Sequence, residues 1–347
     1  MSIRNPKSRK RSRPGRATIK PRRGSAVSSS SPIVKQLEEI EAATGDGTLE
    51  LGRGKKLRVT SLDKVYFPEL GTTKGDLMRY YAAMAPAILP AIKDRPLVLK
   101  RYPDGVAGPS FFQQNAGDAI PEHVRTARVT TESGQPAERI VGGDLLTLLY
   151  TVQIGTISVH AWQTRTRHLE FADTSTIDLD PGEDVPFGDV VALAVKIRGV
   201  LATLKLQAGI KTSGSSGLHI VLPLPPGTTF VESSELATAI ASRVAEEQPK
   251  RATVERSIKD RPAGTIYVDA QQNAEGKSVV AAYSVRARSK ATVSAPIAWT
   301  DLRPGLRLAQ FTIETMPVRV RRIGDIWGAA MKRRNSRRAL DALLGGL

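Results

Sequence analysis

Apolar side chains recur every three to four residues in several stretches of the chain, the spacing that places them on one face of an α-helix. The longest such stretch covers residues 74–92, and Thr73 before it is a favourable N-cap residue. The spacing predicts helices over residues 32–43, 74–92, 143–154, 187–206, 233–248 and 325–344.

Shorter apolar runs, bounded by Pro, Gly and Asp, are typical of β-strands. They predict strands over residues 57–67, 96–101, 156–160, 175–180, 218–224, 265–269 and 281–288. Because these strands alternate with helices through much of the chain, the expected fold class is α/β (α+β).

One of these strands ends in two carboxylates. Side chains two residues apart in a strand point to the same face, so Asp178 and Asp180 should project together while Ile177 and Leu179 face a core. Pro181 and the glycine after it would end the strand. Paired carboxylates are suitable ligands for Mg²⁺ or Mn²⁺. An ordinary solvated turn explains the same pattern.

Charge adds a candidate partner. The chain has 347 residues and a net charge of +17, with ten Lys or Arg and no acid in residues 1–24, and ten against four acids in residues 301–347. A polyanion is the natural partner of such a protein. Residues 1–32 are too polar to fold and are predicted to be a disordered basic tail, although a transit peptide has a similar composition.

Two absences narrow the classes of protein. The chain contains no cysteine, which excludes disulfides and thiol nucleophiles and fits an intracellular protein. It also has no apolar run near the roughly 20 residues of a membrane span.

Further candidate residues allow two readings each. The glycines at 214 and 217, set among serines, could bring backbone N–H groups onto a phosphate or form an ordinary turn. Phe111 and Phe112 could belong to the core or form a platform on which bases stack. His160 alone is more typical of a structural histidine.

Together these segments resemble the polymerase domain of bacterial ligase D, a branch of the archaeo-eukaryotic primases. The similarity runs from about residue 57 to 299 and more weakly to 327. It rests on Asp178-Leu-Asp180, Ser213-Gly-Ser-Ser-Gly-Leu-His219 and Tyr267-Val-Asp269, in that order. Supporting matches are Asp63-Lys-Val-Tyr-Phe-Pro, Thr72-Thr-Lys74, Arg95-Pro, Lys100-Arg-Tyr-Pro-Asp-Gly105, Phe111-Phe112, Gln271-Gln-Asn273 and Tyr283-Ser-Val-Arg286.

The resemblance implies a primase-polymerase fold with an RRM-like mixed or antiparallel sheet flanked by helices. It implies nucleotidyl transfer at broken DNA ends in non-homologous end joining, with ribonucleotides preferred. Two ions, Mn²⁺ or Mg²⁺, would be held by Asp178, Asp180 and Asp269. The implied nucleotide-binding residues are Lys100, His160, Ser213, Ser216, His219 and Arg286. The implied DNA-binding residues are Lys64, Lys74, Arg101, Phe111 and Phe112, of which the first two would bind a 5′-phosphate across a gap.

One departure from the family pattern concerns Ser216, where a basic residue is usual. Lys211 could replace the missing charge, or affinity for the triphosphate could be lower. A basic residue is also expected before the third motif, where Arg261 is the candidate.

The expected organisation is a tail over 1–32, a linker with a short helix over 33–56, a catalytic domain over 57–300 and a basic helical extension over 301–347 packing on it. No Lys-x-Asp-Gly ligase motif occurs, so a separate ligase and a Ku-type end-binding protein are expected partners. A monomer in the cytoplasm, at the bacterial nucleoid, is expected.

Three other functions remain open from the sequence. A metal-dependent nuclease could use three aspartates, and a non-catalytic scaffold could bind DNA ends through the same lysines and phenylalanines. A true primase would begin chains without a primer.

Overall fold

The structure is a computed structural model, and it describes residues 31–117, 119–131 and 134–345. In these ranges the chain forms eight α-helices. They are α1 (Pro32–Ala43), α2 (Lys74–Ile92), α3 (Leu145–Gln153), α4 (Phe187–Thr203), α5 (Phe230–Glu247), α6 (Thr315–Ile323), α7 (Ile326–Met331) and α8 (Arg337–Leu344).

The same ranges contain sixteen strands. The first eight are β1 (Gly47–Glu50), β2 (Lys56–Val59), β3 (Val65–Phe67), β4 (Thr72–Thr73), β5 (Leu97–Arg101), β6 (Phe111–Gln113), β7 (Thr126–Thr130) and β8 (Pro136–Ile140). The others are β9 (Thr156–Trp162), β10 (Thr174–Pro181), β11 (Gly209–Thr212), β12 (Leu218–Pro223), β13 (Ala252–Thr253), β14 (Ile266–Asp269), β15 (Ser278–Val280) and β16 (Pro296–Ile297).

Two sheets organise the molecule. The larger has six strands in the order β13-β14-β10-β12-β11-β16, and the smaller has four in the order β15-β9-β5-β6. Neighbouring strands are antiparallel except for the β13–β14 pair, so the larger sheet is mixed. The expected α/β fold with a mixed or antiparallel sheet flanked by helices is confirmed.

Strand β10 lies inside the larger sheet between β14 and β12. Ile177 and Leu179 on one of its faces are fully buried, and helices α4 and α5 contact this strand. Asp178 and Asp180 therefore project from the opposite face, as the alternation predicts. The carboxylates stand on a strand that is paired on both sides.

Helix α2 is packed in the core and bonds to distant parts of the chain. It begins with a capping box in which Thr73 and Asp76 satisfy each other's backbone N–H groups. Two buried tyrosines of this helix reach outward: the Tyr80 hydroxyl donates to the Tyr283 carbonyl, and the Tyr81 hydroxyl donates to the Ile157 carbonyl, each at 2.7 Å.

Both ends of the described chain contribute to the same core. Val34, Leu37 and Leu49, from the segment predicted as a linker, are almost completely buried. Trp327 and Leu340 in the C-terminal helices are buried in the same cluster. Residues 1–30, which include most of the predicted disordered tail, lie outside the described residues.

Three predicted elements differ from the structure, and two of them are each divided into two shorter elements. The single strand predicted over 57–67 is two strands, β2 and β3, because Ser61 has a φ of 54° and turns the chain. The helix predicted over 325–344 is broken into α7 and α8, since the Asn335 side chain bonds to the backbone of Gln207 and Pro223.

The strand predicted over 281–288 does not form. Tyr283 has a φ of 68°, outside the β region, and only Val285 makes a bridge, to Val293. Its neighbour β15 is instead the strand that pairs with β9.

Candidate active site

Four polar residues stand directly opposite one another on four adjacent strands of the larger sheet. Lys211 on β11 faces His219 on β12, His219 faces Asp178 on β10, and Asp178 faces Asp269 on β14. Residues directly opposite in antiparallel strands have their side chains on the same face. The sheet therefore presents a continuous row of two basic groups followed by two acidic ones.

A cavity of about 370 Å³ opens at the acidic end of this row. Eight of the predicted site residues line it, and they come from both sheets and from the segment after β15. They are His160, Asp178, Asp180, Ser213, Ser216, His219, Asp269 and Arg286.

The three carboxylates are in different environments. Burial, followed by repulsion from Asp180 and Asp269, raises the pKa of Asp178 to about 7. Asp180 lies 3.5 Å from Arg261, whose guanidinium also stacks on the Tyr267 ring. Arg261, the candidate basic residue before the third motif, thus lies beside a predicted catalytic carboxylate.

Asp269 accepts a hydrogen bond from the Gln271 backbone N–H at 2.7 Å and contacts the side chains of Tyr267 and Gln272. These bonds fix its orientation at the end of β14.

The donor set fits a hard divalent cation. Two of the carboxylates repel each other across neighbouring strands, and an added cation would offset that repulsion. Among the residues that the structure describes, no group of three or more His, Asp or Glu side chains already has the arrangement of a metal site. A cation bound here would compete with the present partners of Asp180 and Asp269.

His219 is held as a neutral, oriented imidazole. Lys211 Nζ lies 2.8 Å from His219 Nδ1, so with Lys211 as donor the ring proton is on Nε2, which faces Asp178 Oδ1 at 3.4 Å. Burial, and then the charges of Lys211 and Arg286, lower the pKa of His219 well below its usual value. The histidine connects the basic half of the row to the acidic half.

Lys211 does not replace the basic residue missing at position 216. It is 2% exposed, does not line the catalytic cavity, and uses its ammonium group on His219 and Ser294. Burial lowers its pKa to about 7. Arg288 instead reaches the loop, donating to the Ser215 hydroxyl.

The serine-glycine loop between β11 and β12 is built around one hydroxyl. Ser213 Oγ accepts the backbone N–H groups of Ser215 and Gly217 at 3.1 and 3.0 Å. Those two N–H groups are thus used within the loop and not on a ligand. The Ser213 hydroxyl keeps its own proton to donate into the cavity.

An arginine and a histidine line the same cavity as the aspartates. Arg286 lines it, and burial followed by the nearby Arg288 lowers the Arg286 pKa. His160, from the smaller sheet, has its pKa lowered to about 3 by burial and then by Arg286, Lys211 and Lys100. His160 is therefore neutral and can serve as a hydrogen-bond donor or acceptor.

Phe111 and Phe112 lie on the edge strand β6 and are 48% and 57% exposed. Lys100 lies 5.2 Å from the Phe112 ring centroid, and Arg101 lies 5.1 Å from that of Phe111. The Phe112 and His160 rings are also in edge-to-face contact, with their centroids 6.4 Å apart. The two phenylalanines are thus exposed beside the cavity, and the interpretation of this pair as core residues is wrong.

The two lysines predicted to bind a 5′-phosphate are adjacent but unequal. The Lys74 backbone N–H donates to the Lys64 carbonyl, yet the Lys74 ammonium is buried and donates to the Thr60 carbonyl at 2.8 Å. Burial, and then Lys64, lower the Lys74 pKa to about 8. Lys64 is more exposed and pairs with Asp104 at 2.7 Å.

The sequence did not predict the role of Asn273, whose side chain bonds to the backbone of strand β10. Asn273 is 1% exposed, accepts from the Thr176 N–H and donates to the Thr176 carbonyl, as a neighbouring strand would. Gln163 bonds to the Asn273 and Thr176 side chains. The Gln271-Gln-Asn273 motif included this asparagine among the family matches, but it did not predict the bonds to Thr176.

Comparison with solved structures gives the class of protein. The chain resembles the polymerase domain of Mycobacterium tuberculosis ligase D, solved in complex with DNA, with a TM-score of 0.74 and 32% identity over 80% of this chain and 99% of that one. It therefore has the fold of a ligase D polymerase domain. Residues 73–327 match the family model described as LigD, primase-polymerase domain, and the chain belongs to that family.

Curated relatives agree. The multifunctional non-homologous end joining protein LigD of Mycolicibacterium smegmatis is 33% identical over 264 residues, which is 75% of this chain and 34% of that protein. The bifunctional LigD protein of Bacillus subtilis is 32% identical over 270 residues, or 78% of this chain and 43% of that protein. The chain thus spans less than half the length of these relatives.

Within the described residues, no helix is both long and apolar enough to cross a membrane.

Proposed function

We propose that this protein is a DNA-directed nucleotidyltransferase that fills gaps and extends 3′ ends at double-strand breaks in non-homologous end joining. The observation that carries the proposal is the single cavity that is lined by Asp178, Asp180 and Asp269 together with Arg286 and His160. Nucleotidyl transfer needs carboxylates and cations on opposite sides of one phosphate chain.

The carboxylates Asp178, Asp180 and Asp269 would hold two divalent cations, Mn²⁺ or Mg²⁺. Such ions, when bound, supply the charge that lowers the pKa of a primer 3′-hydroxyl and neutralises a triphosphate. The protein's own residues then position the reactants, and positioning accounts for much of the acceleration in phosphoryl transfer.

Residues around the triphosphate have separate tasks in this proposal. Arg286 binds the phosphates, and Ser213 donates its free hydroxyl proton to one of them. His219, through its N–H, orients the Asp178 carboxylate. Lys100 and His160, which lie next to Phe112, bind the nucleotide on the side of the smaller sheet.

The DNA duplex would lie over the smaller sheet, with template bases stacked on Phe111 and Phe112 and the downstream 5′-phosphate near Lys64. We further propose that the protein prefers ribonucleotides, cooperates with a Ku-type protein and a ligase, and acts as a monomer at the nucleoid. The solved relative in complex with DNA supports DNA as the substrate.

The test is extension of a labelled primer on a gapped duplex with ribo- or deoxyribonucleotides and Mg²⁺ or Mn²⁺. Asp180→Ala should lower incorporation at least about a hundredfold because it removes a ligand for the ions, while DNA binding remains. Asp184→Ala is the matched control, since that carboxylate is exposed in the turn after β10 and does not line the cavity.

Retained synthesis by Asp180→Ala would remove the assignment of the carboxylates. Shortening of the primer by the unaltered protein would indicate a nuclease, and DNA binding without any addition would indicate a scaffold. Products formed without a primer would indicate a primase.

A second prediction concerns the gap. Lys64→Ala should reduce the preference for a gap with a downstream 5′-phosphate by about tenfold, because Lys64 is the accessible member of the lysine pair. Extension of both duplexes is measured side by side, with Lys93→Ala as an exposed-lysine control. An unchanged preference in Lys64→Ala would refute the receptor.

A further inference from the structure

A second cavity lies between the two sheets, beside the catalytic one. Its volume is about 420 Å³, within the range of small-molecule sites. Strands β9 and β15 line it on one side, β10 to β12 on the other, and helix α7 at one end. It shares the residues Val279 and Val280 with the catalytic cavity.

The lining of this second cavity carries more positive than negative charge. Arg95, Arg165, Lys211, Lys332 and Arg334 line it, against the two carboxylates Asp173 and Asp325. Asp325 is already engaged by the Tyr283 hydroxyl and the Gly328 N–H. An excess of cations around a cavity attracts an anion.

Two of the arginines share one carboxylate. Arg95 lies 2.7 Å and Arg165 2.9 Å from the oxygens of Asp173. Lys332 and Arg334 are exposed and form no ion pair with any described residue. Burial lowers the Arg95 pKa, and the charges of Arg165 and Arg334 lower it further, against the opposing effect of Asp173. The basic side chains that line this cavity therefore outnumber the carboxylates that could pair with them.

The rest of the lining is apolar. Val221 from one sheet, Ala281 from the segment after the other, and Trp327 from α7 contribute hydrophobic surface. A bare inorganic anion would leave that surface without a partner, whereas an apolar group would cover it.

We propose that this second cavity binds a small organic anion, with its apolar body between the sheets and its charged group against Lys332 and Arg334, the lining cations without an acidic partner among the described residues. The inference is separate from the nucleotidyl transfer proposed above, because Trp327, Lys332 and Arg334 have no role in that proposal.

Titration of the full-length protein with anilinonaphthalene sulfonate, an aromatic sulfonate of this chemistry, tests the proposal by fluorescence. Saturable binding is expected, and Arg334→Ala should weaken it about tenfold because one charged contact is lost. Arg333→Ala is the matched control: it removes the same charge from an adjacent exposed residue that does not line the cavity. Equal effects of the two variants, or the absence of saturable binding, would overturn the proposal.

Two further measurements test separately whether binding needs the cavity, a charged group and an apolar body. Ala91→Leu adds volume to the lining without introducing charge and should also weaken binding, with thermal unfolding measured to confirm that it folds. Phenyl phosphate should displace the probe, whereas phenol and inorganic phosphate should not. Displacement by phenol would refute the need for a charge, and displacement by inorganic phosphate at the same concentration would refute the need for an apolar body.

Discussion

Gly217 lies against the backbone of the strand that carries the two aspartates. A Cβ at this position would stand 1.8 Å from the Leu179 carbonyl oxygen, the residue between Asp178 and Asp180. No side-chain rotation relieves a contact of a Cβ with backbone. The glycine is therefore what lets the serine loop approach the carboxylates.

Gly217→Ala should consequently displace the loop and reduce incorporation by at least about tenfold, with a loss of stability of about 1–3 kcal/mol from overpacking. Primer extension and urea unfolding measure the two effects. Gly199→Ala is the control, because a Cβ there meets nothing within 4 Å in helix α4 and should be neutral or stabilising by about 1 kcal/mol. Normal activity of Gly217→Ala would show that the loop position is unimportant.

Sequence reasoning was most successful where a residue's role follows from its immediate neighbours. The alternation around Ile177 and Leu179 was enough to place Asp178 and Asp180 on one face. The buried position of Lys74, by contrast, depends on its bond to Thr60 and on the packing of the neighbouring helix. Local spacing carries no information about such contacts.

At the scale of elements, long helices were predictable because their period is repeated over many residues. Helix α2 spans the predicted residues in full, despite two prolines. The predicted strand over 281–288 failed because its apolar residues are buried by tertiary contacts: the Tyr283 hydroxyl donates to Asp325, far along the chain. An irregular segment that is buried on both sides has the same short apolar run in its sequence as a buried strand.

The contact between helices α5 and α8 predicts a dependence of stability on pH. Arg337 donates to Glu232, which also caps α5, and this bond, together with the bonds from the Thr229 N–H and hydroxyl, lowers the Glu232 pKa from 4.5 to about 2. A lowered pKa stabilises the folded state above the unfolded value, so the contribution is complete above about pH 4.5 and is lost as the pH falls towards 2.

Glu232→Gln should therefore lower the free energy of unfolding by about 1 kcal/mol at neutral pH, because the pair is partly exposed, and by much less near pH 2. Urea unfolding across this range measures the difference. Glu235→Gln, on the same helix but exposed and without an ion pair among the described residues, is the control. A loss that is independent of pH would contradict the assignment.

At the scale of the whole molecule, the site depends on two sheets meeting. His160 belongs to β9 of the smaller sheet, whereas Asp178 belongs to β10 of the larger one, and both line one cavity. No periodicity within either strand specifies how the sheets face each other. The order of the motifs along the chain, which resembles one family, supplied that information instead.

The distribution of charge also belongs to this scale. Residues 1–24 carry ten Lys or Arg and no acid, and residues 25–30 carry no charged side chain. These residues lie outside the described residues. Neutralising phosphates releases counterions from DNA, and each charge that does so steepens the dependence of affinity on salt.

Deleting residues 1–30 should weaken DNA binding strongly at about 50 mM salt and little at about 200 mM, because the lost interaction is electrostatic. The slope of log affinity against log salt should become shallower, and fluorescence anisotropy with a labelled gapped duplex measures it. Replacing the ten Lys and Arg by Gln at constant length is the matched control and should reproduce the deletion. If the deletion weakens binding equally at both salt concentrations, or if the Gln variant binds like the intact protein, charge is not what this segment contributes.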